Sequence, residues 1–170
     1  FIEVMHMEFF NEKIHGRAEC VAKRTQSFVV SLSLLYTLLA ITSLLYFSEY
    51  KLHIICIIIT LFSVWQIYRI HQPVIIATEK MFLVTVPFWE LPFSKEGVYA
   101  MIENKYISLS YDQIIGFSED WKLIYLGMEQ EGGIVELAIE GTYISLKDKE
   151  CIVRIIESKQ QNNFNCYNKR

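Results

Sequence analysis

The sequence predicts an α+β protein in which a membrane-spanning helical hairpin precedes a small antiparallel β domain that a C-terminal helix closes. Three observations lead to this prediction. Two long uncharged apolar runs lie between residues 27 and 68, short β-type runs follow from residue 74, and a last segment places isoleucines at helical spacing. Of the 170 residues, 52% are hydrophobic, and the two apolar runs hold the excess.

The two apolar runs have the lengths of membrane spans. Residues 27–47 form about 31 Å of helix, close to the roughly 30 Å thickness of the hydrocarbon core. Residues 52–68 form about 25 Å, which is short but within the range of known spans. Because residues 48–51 leave room only for a tight turn, we predict a transmembrane hairpin over residues 27–70.

Residues 1–26 are predicted to be a cytoplasmic N-terminal segment. Because the sequence begins at Phe1, it is either a fragment or starts upstream of an initiator such as Met5 or Met7. The first apolar run is longer than the apolar core of a signal peptide, and it ends in the bulky residues Leu44, Leu45, Tyr46 and Phe47. These features favour a retained anchor over a cleaved signal peptide.

The flanking charges predict the orientation of the hairpin. Arg17, Lys23 and Arg24 precede the first run and Arg69 follows the second, whereas the turn contains only Lys51. Positive charge accumulates on the cytoplasmic side of membrane helices. We therefore expect an inner-membrane protein with two spans and both termini in the cytoplasm.

From residue 72 the pattern is that of strands, and we predict a β domain over residues 72–160. The predicted strands cover residues 74–78, 81–86, 97–102, 106–111, 122–126, 134–139 and 142–146. Turns are expected at residues 79–80, 103–105 and 132–133 and at Gly141.

The last predicted element is an amphipathic helix over residues 147–160. Ile152, Ile155 and Ile156 recur at helical spacing, and Ser145 and Asp148 are residues that commonly cap a helix start. The polar residues 161–170 are predicted to be a flexible tail.

Several strands followed by one amphipathic helix are the layout of a pleckstrin-homology-like (PH-like) domain. Residues 73–78 and 107–117 resemble stretches of small bacterial membrane proteins that join a two-helix hairpin to a cytoplasmic bacterial PH-like domain. In that group an aromatic, an acidic residue and an isoleucine commonly close a strand, as Tyr111, Asp112 and Ile114 would here. The resemblance implies a PH-like barrel or sandwich, and most such families have no assigned function.

Charge argues against two classes of ligand. PH domains that bind phosphoinositides carry several Lys or Arg residues around the first hairpin, whereas this turn contains Glu79 and Lys80. Phosphoinositide binding is therefore not expected. The net charge of −3 and the absence of a basic stripe argue against nucleic acid as a partner.

No catalytic, cofactor-binding or metal site is predicted. The cysteines, Cys20, Cys56, Cys151 and Cys166, are far apart in sequence, and we interpret them as solitary reduced thiols. The four histidines are scattered as well. Asp112, Glu119 and Asp120 are acidic residues near turns, where carboxylates are usually solvated or capping groups.

The most unusual stretch is residues 86–93, where large apolar side chains lie between and beside two prolines. Two interpretations are open: these residues cover one end of the core, or they form an exposed loop that contacts the bilayer or a partner. The candidate interaction residues are Phe88, Trp89, Leu91 and Phe93. An unpaired strand edge is a second candidate surface, because a partner peptide adds a strand there.

The sequence favours a membrane-anchored, non-enzymatic interaction module whose β domain binds another protein or a second copy. The alternative is an accessory subunit of a membrane transport or stress-response complex that acts mainly through its helices. A third hypothesis is an enzyme whose catalytic residues are dispersed.

Overall fold

The computed structural model describes residues 7–49, 53–85, 106–127 and 133–167. The chain divides into two compact units. The first unit, Phe1–Lys23 with Pro73–Arg170, is a mixed α+β domain, and the second, Arg24–Gln72, is a pair of helices. The predicted α+β class is confirmed.

The elements follow one another along the chain in a simple order. They are β1 (Met7–Glu8), α1 (Glu12–His15), β2 (Ala18–Ala22), α2 (Gln26–Glu49), α3 (His53–Ile70), β3 (Ile75–Thr78), β4 (Phe82–Val84), β5 (Tyr106–Leu109), β6 (Ile114–Phe117), β7 (Leu123–Gly127), β8 (Ile134–Ala138) and α4 (Leu146–Tyr167).

Helices α2 and α3 confirm the two predicted apolar helices, with ends that differ by a few residues. The two helices pack against each other through small side chains, since Ser43 and Ser63 are both buried. Small residues let helix backbones approach closely. The rings of Tyr36 and Phe62 meet edge to face with centroids 6.3 Å apart, which adds a specific aromatic contact to this packing.

The larger sheet has five antiparallel strands in the order β1-β5-β4-β3-β2. Both β1 and β2 come from the N-terminal segment that the sequence analysis treated as separate from the β domain. These strands were missed because β1 has two residues and β2 has five, with Glu19 among them. Strands this short are recognised by their neighbours in the sheet rather than by their own pattern.

Helices α2 and α3 are an insertion between two paired strands. Ala22 at the end of β2 is opposite Ile75 at the start of β3, and the Val74 amide donates to the Ala22 carbonyl at 2.9 Å. The chain therefore leaves the first unit and returns to it at adjacent points of one sheet edge. In this respect β2 and β3 behave as a hairpin whose connection is the helix pair.

The smaller sheet has three antiparallel strands in the order β6-β7-β8. Its inward side chains join those of the larger sheet in one core, and α4 contributes Ile152 and Ile156 to that core. Helix α4 confirms the predicted C-terminal helix, although it continues to Tyr167, past the predicted end at residue 160. Neither sheet closes on itself within the described residues.

One predicted strand was wrong. Residues 142–146 are not a strand: residues 141–143 form a 3₁₀ turn in which the Ile144 amide donates to the Gly141 carbonyl at 3.2 Å. Helix α4 then begins, and the Ser145 hydroxyl accepts from the Asp148 amide at 3.1 Å. This side-chain cap outweighs the β propensity of the run. Conversely, β6 was not predicted, and the predicted strand 97–102 lies outside the described residues.

Gly141 provides a test of the packing between the smaller sheet and the start of α4. A Cβ atom at this position would lie 2.5 Å from the Trp121 carbonyl oxygen and 3.1 Å from Ile139. We expect Gly141→Ala to lower the free energy of unfolding by about 2 kcal/mol, because backbone atoms must move to relieve the overlap. Thermal denaturation followed by circular dichroism measures this loss.

The matched control is Gly116→Ala, since a Cβ atom added there meets nothing within 4 Å. We expect this variant to melt close to the unmodified protein. Equal melting temperatures for the two variants would contradict the packing described at Gly141.

Candidate functional site

The surface of the helix pair is apolar on nearly all sides. Both helices are long and apolar enough to cross a membrane, yet only 6% of the apolar stretch of α2 and 22% of that of α3 is buried. Leu45 is 69% exposed and Ile54 is 76% exposed. Helices of a soluble core bury one apolar face and present a polar one to water. The exposed faces of α2 and α3 are apolar instead.

The ends of the helix pair are joined by a buried arginine. Arg24, just before α2, places Nη1 3.4 Å from the carbonyl oxygens of Arg69 and Ile70 and 3.3 Å from that of Gln72. The last carbonyls of a helix lack partners within the helix and form the negative end of its dipole. Arg24 thus caps the C-terminus of α3 and holds the two ends of the hairpin together.

The outer face of the smaller sheet is a second surface with exposed apolar side chains, and the exposed Glu136 lies among them, opposite Tyr125. Ile115 is 59% exposed and Ile134 is 66% exposed, and they lie on either side of Gly127 on β7. Leu123 and Tyr125 are half-buried and lie on the same face by strand alternation. We call Ile115, Leu123, Tyr125, Gly127 and Ile134 the outer face. Strand β8 is also an edge of its sheet among the described strands.

Cys20 and Cys151 lie together although the sequence analysis interpreted them as solitary thiols. Cys20 is buried on β2, and Cys151 on α4 packs against the same core. Burial, a hydrogen bond with the Cys151 thiol and the nearby charges of Cys151 and Asp148 raise the pKa of Cys20 to about 12. Cys20 is therefore protonated at neutral pH. Cys56 lies in the other unit, on α3.

Tyr111 has a structural role. Its hydroxyl donates to the Thr78 carbonyl and lies 3.2 Å from the Met81 carbonyl oxygen, at the turn that joins β3 to β4. Burial is the main cause that raises the pKa of this phenol above its usual range. The Thr78 hydroxyl in turn donates to the His15 carbonyl at 2.6 Å. These contacts join the turn to the N-terminal segment.

The Asp120 carboxylate stabilises a turn. The Asp120 carboxylate accepts from the Ser118 hydroxyl at 2.8 Å and is 2.9 Å from the Lys122 ammonium. Hydrogen bonds from Lys122 and Ser118 lower the pKa of Asp120 to about 2. This agrees with the interpretation of Asp120 as a capping carboxylate.

Metal-ligating residues are dispersed as well. Within the described ranges, no group of three His, Cys, Asp or Glu side chains is placed to hold a metal ion. His15 is fully buried, and its Nδ1 atom is 2.9 Å from the Asn11 carbonyl oxygen, so it belongs to local packing around α1. The predicted interaction residues Phe88, Trp89, Leu91 and Phe93 lie outside the described residues.

The sequence analysis missed the role of Arg24, the thiol pair and the outer face. Arg24 was interpreted only as a flanking positive charge, because its partners lie more than forty residues further along the chain. Ile115 lies on β6 and Ile134 on β8, and these two strands do not pair with each other but each pair with β7. Strand β7 is apolar at nearly every position, so its sequence did not indicate which of its two faces is buried.

Comparison with known proteins identifies no relative. The chain matches no family model, and no curated protein and no solved structure matches it significantly.

The Arg24 cap can be tested by substitution. We expect Arg24→Gln to destabilise the helix pair by about 2 kcal/mol, the typical value of hydrogen bonds from a charged group. Thermal unfolding of the full chain in detergent micelles, followed by helical circular dichroism, measures the effect.

Lys23→Gln is the matched control, because it removes one positive charge beside the same helix from an exposed position. We expect it to leave the helical transition unchanged. If both variants shift the transition equally, a general charge effect would replace the proposed cap.

Proposed function

We propose that this protein is a membrane-anchored, non-enzymatic interaction module. In this proposal α2 and α3 span the inner membrane, both termini are cytoplasmic, and the β domain has a PH-like arrangement that binds another protein or a second copy. The observation that carries the proposal is the exposure of apolar side chains over the surface of both helices.

The free energy of removing apolar side chains from water supports the membrane anchor. Transferring one exposed leucine or isoleucine side chain out of water is worth about 1.5–3 kcal/mol. The exposed leucines and isoleucines of α2 and α3 are Leu34, Leu35, Leu38, Leu39, Ile41, Leu44, Leu45, Ile54, Ile55, Ile57, Ile58 and Leu61. A bilayer satisfies all of them at once, whereas in water they would drive aggregation.

The strand pairing in the first unit supports a hairpin whose two ends lie on the same side of the membrane. The Ala22 carbonyl and the Val74 amide are hydrogen-bonded, so the chain leaves and re-enters the β domain at neighbouring positions. A single span between them would separate two paired strands by the thickness of a membrane. The flanking residues Lys23, Arg24 and Arg69 favour the cytoplasmic side.

The β domain supports the interaction role. Two antiparallel sheets share one core with the amphipathic helix α4, as a PH-like arrangement requires. The outer face presents Ile115 and Ile134 to solvent, and apolar contact of this kind suits a protein surface. Tethering to a membrane raises the effective concentration of partners on that membrane, so a modest contact area suffices.

The described polar groups support a non-enzymatic role. Asp120 stabilises a turn, Tyr111 stabilises another, and His15 is enclosed in the core. An enzyme concentrates titratable groups with shifted pKa values in one cleft. Asp120 and Lys122 shift each other's pKa at an exposed turn. Burial is the main cause of the raised pKa values of Cys20 and Tyr111, which both belong to the core. Both pairs of shifts therefore have structural causes.

Site-specific photo-crosslinking in native membranes tests the proposal. A photoreactive amino acid replaces Ile134 on the outer face, Leu38 on α2 or Glu157 on the exposed side of α4. We expect protein adducts, or a crosslinked dimer, from position 134, because the outer face is the proposed contact surface. Position 157 is the control on the same domain and should give few adducts.

Adducts from position 38 alone would contradict the proposal. That result would instead support the alternative of an accessory subunit that contacts its complex through the helices.

A further inference from the structure

The fold brings two thiols together from opposite ends of the chain. Cys20 lies on β2 in the N-terminal segment, and Cys151 lies in the first half of α4. Alternation along β2 turns Cys20 and Ala22 into the core while Glu19 and Val21 face outward. Cys151 packs against that same core, where α4 lies against β2, and the nearby Cys151 contributes to the raised pKa of Cys20.

The contact between β2 and α4 is fixed by more than the two cysteines. The Lys159 ammonium is 2.7 Å from the Glu19 carboxylate, and Lys159 also donates to the Glu79 carbonyl at 3.2 Å. Ile152 and Ile156 anchor α4 in the core beside Cys151. The strand and the helix that carry the two thiols are therefore held together by other contacts as well.

Two thiols alone do not make a metal site. Among the described residues no third ligand joins the two thiols in a metal-binding group. Cys151 is partly exposed, whereas Cys20 is 8% exposed. A small oxidant in water thus reaches Cys151 first, and Cys20 lies behind it as a shielded second thiol.

We propose that Cys20 and Cys151 are a reversible oxidation site, at which a peroxide joins β2 to α4 through a disulfide bond. The proposal is independent of the interaction role proposed above. It concerns only the first unit and needs no partner molecule except the peroxide.

The reaction balances in two steps. The Cys151 thiolate attacks one oxygen of hydrogen peroxide, the O–O bond breaks, and the departing hydroxide takes up the proton that Cys151 lost, which leaves a sulfenic acid and one water. Cys20 then attacks the Cys151 sulfur, the S–O bond breaks, and the hydroxide that leaves combines with the Cys20 proton as a second water. The two thiols lose two electrons, and the peroxide gains them.

The cross-link would have a defined structural effect. It would close a covalent loop from β2 to α4 that contains both membrane helices and every strand from β3 to β8. Such a loop restricts the unfolded chain, so the oxidised protein should be harder to unfold. A dithiol reductant would reverse the bond by thiol–disulfide exchange.

The test uses the full chain in detergent micelles, treated with hydrogen peroxide. Free thiols are then blocked with an alkylating reagent, and the protein is digested without reduction and analysed by mass spectrometry. We expect a peptide pair joined through Cys20 and Cys151 that is lighter by two hydrogen atoms and disappears after treatment with dithiothreitol. This readout needs no variant.

Three variants identify the residues. Cys151→Ser and Cys20→Ala should abolish the linked peptide, and Cys56→Ser should retain it, because Cys56 lies in the other unit. Circular dichroism checks that each variant is folded before oxidation. Oxidation of Cys151 to sulfinic acid with no linked peptide, or a link from Cys151 to any other cysteine, would overturn the proposal. Either result would leave the proposed interaction role untouched.

Discussion

Pairing between β2 and β3 constrains the whole molecule, because the two strands are separated in sequence by both apolar helices. Ala22 is opposite Ile75, and a backbone hydrogen bond of 2.9 Å joins Ala22 to Val74. If α2 and α3 span a membrane, as we propose, the paired strands require the chain to return to the side from which it left. Two spans meet this requirement, whereas one or three would not.

A second contact, within the helix pair, also holds the start of α2 close to the end of α3. Arg24 donates to three carbonyl oxygens at the end of α3, so the first and last turns of the hairpin are joined by a buried charged group. A cation at a helix C-terminus is favourable because it lies at the negative end of the helix dipole. In the proposed membrane arrangement the same positive charge would also favour the cytoplasmic side.

The sequence predicted long, strongly patterned elements well and short ones poorly. Helices α2, α3 and α4 and strands β3, β4, β5, β7 and β8 were predicted because each carries its own pattern. Strands β1 and β2 and the Cys20–Cys151 contact were missed because they depend on pairing between residues far apart in the chain, and the four-residue strand β6 was missed as well. At residues 142–146 a helix cap at Ser145 outweighed a run of β-forming residues, and local propensity alone was misleading.

The most direct test of the account compares two chains by alkaline carbonate extraction of membranes. One is the full chain, and in the other an Asn-Gly turn replaces residues 24–72, so that β2 and β3 form an ordinary hairpin. We expect the full chain to stay in the membrane pellet and the shortened chain to be soluble with a folded β domain. Release of the full chain by carbonate, or an unfolded shortened chain, would contradict it.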